Sequence, residues 1–208
     1  MSLAERHILF GAATDGCLAF WPFQRNLKDE TSESSKLHAV DTFLGQDVDV
    51  DKIHQNGIAC MKHCILGSSL CLLATGGDDG TLAISYLSVS NPSLPSIEST
   101  TRVLGAHAAS LSALIIFNCA EVALPAAEKE LSLSIVSCGK DQRLKLWRLA
   151  VDVTEQGVDR IDVTCAADVF CPVADVASIA LLSQAKRPCF SIVVAGSGLY
   201  IWDITGFT

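Results

Sequence analysis

His107, Ser137 and Asp141 are the residue types of a charge-relay hydrolase, and an indole, Trp147, follows the carboxylate by six positions. In such an enzyme the carboxylate orients the imidazole, and the imidazole takes the hydroxyl proton to make serine a nucleophile. A second set, His54, Thr75 and Asp79, recurs upstream in the same order, with Ser85 at the tryptophan position. Two features oppose catalysis. No Gly-x-Ser-x-Gly elbow surrounds Ser137, which lies in an alternating apolar stretch where a strand would bury its hydroxyl. The constellation also repeats in part, whereas an enzyme needs one site. The other chemistry open to these residues is a buried hydrogen-bond relay. The aspartate accepts from the histidine and the turn backbone, the histidine reaches the hydroxyl, and the hydroxyl meets the indole N–H. Such a network satisfies buried polar groups and fixes strand register. The relay is the expectation, with no catalytic residue.

Other reactive types are poorly placed. Cys60-Met61-Lys62-His63-Cys64, with His54 upstream, lacks the second close pair of ligands that a zinc site usually needs, and Cys60 falls inside a predicted strand, so no metal is expected. Gly139-Lys140 lacks the upstream glycine context of a phosphate-cradling loop, and Gly196-x-Gly198 leads into a strand instead of a helix. No cofactor is expected. Nine cysteines are scattered through apolar segments without disulfide-type spacing, which reads as reduced thiols in a cytosolic or nuclear protein. The first residues, Met1 to Arg6, carry no secretory signal, and Leu111–Phe117 is too short to span a bilayer. A cytoplasmic location without membrane contact is expected.

The net charge of −8 opposes a large phosphate-binding surface. The one basic concentration, Lys140, Arg143, Lys145 and Arg148, reads as solvated strand and turn positions around one hairpin. Any contact with RNA is therefore expected to run through a partner or through further parts of the protein.

The elements that would position these residues come from a repeat. Thr14-Asp15-Gly16-Cys17-Leu18-Ala19-Phe20-Trp21, Asp78-Asp79-Gly80-Thr81-Leu82-Ala83-Ile84-Ser85, Lys140-Asp141-Gln142-Arg143-Leu144-Lys145-Leu146-Trp147 and Ala195-Gly196-Ser197-Gly198-Leu199-Tyr200-Ile201-Trp202 are four turn-and-strand copies. A second matched segment aligns His54–Met61 with His107–Leu114 and, lacking the histidine, with Pro172–Ile179. Each full unit reads as four strands. The third has an outer strand near Thr100–Leu104, an inner one near Ser110–Phe117, then Leu131–Cys138 and Arg143–Leu149. Four-stranded units in series are blades of a β-propeller. Extra residues at Gln24–Lys36, Ser88–Thr101, Val151–Val158 and Cys119–Glu130 are expected on one elaborated rim. The histidine linkers and tight turns fall on the other, where Gln46–Asn56 is the longish exception.

The order His…Ser/Thr…Asp…Trp, closing in Leu144-Lys145-Leu146-Trp147 or Tyr200-Ile201-Trp202-Asp203, resembles the WD40 repeat. The resemblance covers nearly the whole chain. It departs from the pattern at Pro22 after Trp21, at Ser85 in place of tryptophan, and in the fourth unit, which lacks both histidine and turn aspartate. It implies an all-β partial propeller, an arc of three to four four-stranded antiparallel blades: a half blade at about 1–45, then blades at about 46–104, 105–166 and 167–208. Ala12–Trp21 and Gly196–Trp202 further resemble the C-terminal part of the WD repeat-containing protein 6 family, non-catalytic partners of the methyltransferase that modifies the wobble-nucleotide ribose of certain tRNAs. The resemblance implies a protein partner, a tRNA ribose methyltransferase, with tRNA contacted indirectly. The alternative is a generic adaptor in signalling, trafficking or ubiquitin transfer. An open ring is expected, with the polypeptide poorly soluble or oligomeric unless the missing blades are supplied in trans.

Overall fold

The computed structural model describes residues 5–25, 42–43, 50–66, 70–88, 96–117, 130–154, 157–183 and 190–204, and these contain strands and turns but no helix. Four antiparallel sheets follow one another along the chain. The first pairs β1 (Glu5–Ala12) with β2 (Cys17–Arg25), and two short strands, β3 (Thr42–Phe43) and β4 (Val50–Lys52), line the far side of β2. The second runs β5 (Ile58–Ile65), β6 (Leu70–Gly77), β7 (Leu82–Ser88), β8 (Ser96–Val103). The third runs β9 (Leu111–Phe117), β10 (Glu130–Gly139), β11 (Arg143–Thr154), β12 (Gly157–Phe170). The fourth has β13 (Ser178–Ser183), β14 (Phe190–Ala195) and β15 (Leu199–Ile204). Spatial order equals sequence order, the meander of a propeller blade. β9 lies against both β5 and β13, so the inner strands stand side by side. Among the described residues no strand pairs the fourth sheet with the first, and the blades form an open arc.

The central strands of the middle blades are buried on both faces. Three cores result, each shared by two successive sheets. Leu18 and Phe20 of the first sheet pack with Leu73, Ala83 and Leu87 of the second. Leu72, Leu82, Ile84 and Tyr86 of the second pack with Ile135, Trp147 and Leu149 of the third. Val136, Leu144 and Leu146 of the third pack with Ile179, Ile192 and Val194 of the fourth. Burying one such Leu or Ile is worth about 1.5–3 kcal/mol.

Tight turns join the second and third strands of each blade. Gly16 and Gly80 sit at φ 86° and 72°, a left-handed conformation open to glycine, and Gln142 takes the same place at φ 56°. That conformation swings the turn carbonyl toward the linker that leaves the blade. Gly16 O accepts from Ile53 and His54 N–H at 3.0 and 3.1 Å, Gly80 O from His107 N–H at 2.9 Å, and Gln142 O from Cys171 N–H at 2.7 Å. The turns thus hold the histidine linkers in place on one rim.

Three expectations need correction. Thr100–Leu104 is not the outer strand of the third unit. Its residues up to Val103 belong to β8, which pairs β7 in the second sheet, because the chain folds back beside the strand it has just left before crossing to the next blade. Ser88–Thr101 is accordingly no plain insertion, since its second half is β8. Val151–Val158 is mostly strand, with β11 extending to Thr154 and pairing β12, which starts at Gly157, across a register shift between Asp152 and Val153. Gln24–Lys36 and Cys119–Glu130 lie outside the described residues apart from their ends, as do residues 46–49 of Gln46–Asn56.

Candidate functional site

In the third blade the structure brings four side chains into one line. His107 Nδ1 lies 2.9 and 3.1 Å from the two carboxylate oxygens of Asp141, and its Nε2 is 2.8 Å from Ser137 Oγ. Trp147 Nε1–H donates to the same Ser137 Oγ at 2.8 Å. One assignment satisfies every atom: Nδ1–H donates to the carboxylate, Ser137 O–H donates to Nε2, and the indole fills a serine lone pair. Asp141 also accepts from the backbone N–H groups of Ala108 at 2.9 Å and Arg143 at 3.1 Å. It therefore clamps both the linker before β9 and the turn after β10.

The second blade carries a shorter version. His54 Nε2 is 2.8 Å from Thr75 Oγ1, and Nδ1 is 3.2 Å from Asp79 Oδ1. Asp79 takes the N–H groups of Gln55 and Thr81, each at 2.9 Å. With no indole in this blade, Ser85 turns sideways, and its hydroxyl pairs with that of Thr100 on β8 at 2.9 Å. In the first blade Asp15 accepts from the Cys17 N–H, at 3.0 Å. In the fourth, the turn residue Ser197 bonds the Ala174 carbonyl through both N–H and hydroxyl, at 3.0 and 2.7 Å.

Electrostatics follow from burial. Removal from water pushes the His54 and His107 imidazoles below their ordinary value, against the pull of Asp79 and Asp141 in the other direction. Arg102 pushes His54 down further, and Lys145 does the same for His107. Burial raises Asp79 and Asp141, yet the histidine and backbone donors outweigh it and hold both carboxyls below the usual range. Each pair is a neutral imidazole facing a carboxylate.

The Asp–His–Ser order is that of a catalytic triad, but its surroundings deny it that chemistry. Ser137, midway along β10 between β9 and β11, has no exposed surface, and His107 and Trp147 are buried. A substrate carbonyl has no path to Oγ, and the indole N–H already occupies the hydroxyl.

Two parts of the site escaped the sequence reading. Gly139 lies where any Cβ would stand 2.6 Å from His107 Nδ1 and 2.8 Å from Asp141 Oδ1, so its lack of a side chain lets the ring approach the carboxylate. Gly77 plays the same part beside His54 and Asp79. The signal was available, since each glycine stands two residues before its turn aspartate. Ser110 was also missed. Its hydroxyl donates to Asp78 Oδ1 at 2.6 Å and its carbonyl accepts from Lys140 N–H at 2.8 Å, tying the turns of adjacent blades together.

The cysteine–histidine segment does not converge. Cys60 Sγ points to the Leu111 carbonyl at 3.4 Å with its thiol pushed up to about 12 by burial, while the His63 ring stacks on Phe10. Among the described residues no three His, Cys, Asp or Glu side chains group to hold a metal. In the basic hairpin, Asp168 engages two of the four cations: Arg143 Nε at 2.7 Å and Lys145 Nζ at 3.4 Å.

Blades in meander order, shared cores between them, and a histidine linker locked to a turn aspartate define a WD-repeat β-propeller segment, and the chain belongs to the WD-repeat proteins. Along 150 residues, 70% of its length, it is 32% identical to the tRNA (34-2'-O)-methyltransferase regulator WDR6 of Bos taurus. The chain spans 13% of that relative's length. Among solved structures it is similar to BBS1N, in a crystal structure of the complex with ARL6DN, with a TM-score of 0.37 and 12% identity over 92% of this chain and 62% of that one. No protein-family model matches the chain.

Proposed function

We propose that this chain is a non-catalytic WD-repeat scaffold that serves as the regulatory partner of a tRNA 2'-O-ribose methyltransferase acting at the wobble nucleotide. The observation that supports this reading is the 32% identity, running through 70% of the chain, to a protein whose name is that of a regulator of that methylation. The buried relays fit the same reading. His107, Ser137, Asp141 and Trp147, with His54, Thr75 and Asp79, act as framework that keeps one rim rigid for a protein partner. The enzyme binds the methyl donor, the tRNA is reached through that enzyme, and the complex works in the cytoplasm.

The test couples capture to modification. Affinity purification of the tagged protein from its own cells is expected to recover an RNA 2'-O-methyltransferase. Deleting the gene is expected to lower the 2'-O-methyl content of nucleotide 34 in the affected tRNAs, read by nucleoside mass spectrometry. Unchanged methylation at that nucleotide, with ubiquitin-ligase or vesicle-coat subunits recovered instead, would refute the reading in favour of a generic adaptor.

A further inference from the structure

The repeat makes residues in different sheets comparable, and two departures fall together where the third blade passes to the fourth. Opposite the leucine that follows each turn, the strand before the turn carries Ala12, Gly76, Cys138 and Ala195. At Gly76 a Cβ would stand 2.8 Å from Cys60 Sγ, so the second blade has room there for one thiol, on its first strand. In the third blade the residue facing Cys138 on the first strand is Ala113, and the thiol has moved to the second strand. The linkers differ at the same place. The turn carbonyl that accepts from His54 N–H in one linker and from His107 N–H in the next accepts from Cys171 N–H in the third, at 2.7 Å. Cys171 thus takes the backbone place of a relay histidine in a linker that has none.

The two departures meet in space. Cys138 and Cys171 have no exposed surface, and both belong to the core between the third and fourth sheets, beside Val173, Val176 and Ile179. Their side chains hydrogen-bond to each other, and both are free thiols. The linker before β9 is clamped by His107 and Asp141. The linker into the fourth blade has no histidine, and the turn of that blade has no aspartate, so the thiol pair stands where such a clamp is missing.

We propose that Cys138 and Cys171 are an oxidation site, forming a reversible disulfide that ties the linker into the fourth blade to the second strand of the third. The oxidant is a low-molecular-weight disulfide such as oxidised glutathione. One protein thiol loses its proton, and the thiolate attacks a sulfur of the small disulfide, whose S–S bond breaks and expels one thiol. The second protein thiolate attacks the resulting mixed disulfide, forming the Cys138–Cys171 bond and expelling the other small thiol. The protein gives up two electrons and two protons, and one small disulfide is reduced to two thiols. Burial pushes the Cys138 thiol up, and the neighbouring Cys171 adds to that, so Cys138 stays protonated while the junction is closed. The first attack therefore comes when the linker lifts, and its return delivers the second thiol. The site responds to opening of this one junction as well as to the oxidant.

The purified 208-residue chain tests this, with Cys165→Ser to remove an exposed thiol that competes for the oxidant. It is equilibrated with oxidised and reduced glutathione in urea well below its unfolding midpoint, and the remaining thiols are blocked before digestion and peptide mass spectrometry. A peptide pair joining Cys138 to Cys171, lighter by two hydrogens than the separate thiols, is expected, and dithiothreitol should abolish it. The cross-link closes the loop 138–171 and constrains the unfolded chain, so the urea midpoint of the oxidised protein is expected to rise by about 1–2 M. Cys138→Ala installs the residue that Ala12 and Ala195 supply at the equivalent positions, and it is expected to fold and to lose that rise. Cys171→Ala is the second variant, should the first not fold. Recovery of Cys138 and Cys171 as blocked thiols, or each joined to glutathione or to a different cysteine, would overturn the proposal. So would a midpoint rise that persists in both variants, since it would belong to another pair.

Discussion

Removing the Asp141 carboxylate should cost far more than its position at a surface turn suggests. Asp141→Ala deletes the acceptor of three donors: His107 Nδ1–H and the backbone N–H groups of Ala108 and Arg143. The imidazole is buried, and a buried donor left without a partner costs about 1–3 kcal/mol. The two backbone groups lie nearer the surface and can turn to water, which adds roughly 0.5–1 kcal/mol between them. A loss of about 1.5–4 kcal/mol follows. With a urea slope of roughly 2 kcal/mol/M, the midpoint should fall by roughly 1–2 M. Trp147 reports the transition by fluorescence, since its indole is the last member of the relay. Asp79→Ala should lose somewhat less, because its histidine contact is longer at 3.2 Å. Asp15→Ala removes the exposed bond from Cys17 N–H and no buried histidine contact, and should shift the midpoint much less than either. Equal midpoint shifts for Asp141→Ala and Asp15→Ala would refute the view that the carboxylate acts through the buried histidine.

Stability should also depend on pH through the two histidines. Burial, the largest influence on each, holds them in the folded state below their ordinary value of 6.5, so the unfolded chain binds more protons as pH falls through that value. Their contribution is complete above about 6.5 and is lost progressively toward the lower folded-state values; urea midpoints should drop between pH 7 and 5, and a His54→Asn/His107→Asn double variant should show a flatter profile. Gly139→Ala should destabilise by about 1–3 kcal/mol through forced separation of the His107 ring and Asp141, measured by the same titration. Ser137→Ala and Trp147→Phe share the hydroxyl–indole bond, so a double-mutant cycle should return a coupling of about 0.5–3 kcal/mol, and strict additivity would show that the two residues act separately.

Much of this architecture is written in local pattern. The turns at Asp15-Gly16 and Asp79-Gly80 and the alternating strands after them are short-range features, and each fixes its own hairpin register. The relay spacing is legible for the same reason, since its members sit at the end of a linker, inside one strand, in one turn and in the next strand. What local pattern does not encode is the side on which an outer strand pairs. Thr100–Val103 has polar and apolar residues that suit either neighbour, and it joins β7 because the hairpin closes before the linker crosses over. Outer-strand length escaped for a related reason: β12 is half solvent-facing, and Asp159, Arg160, Asp162 and Thr164 resemble loop composition. Gly77 and Gly139 carry no side chain to attract notice, and their role becomes visible only when a ring is packed over them.

The placement of the three cores bears on how the molecule comes apart. No core lies within a sheet, and each is the common property of two neighbours. A single blade lifted from the array would keep its ladder bonds but have nothing dry to fold around, so the smallest cooperative unit is a pair. Stability is then coupled between nearest neighbours, as in a one-dimensional lattice. Amide exchange should record that coupling: the β6 and β10 amides, each flanked by a core on either side, are expected to be slow to open.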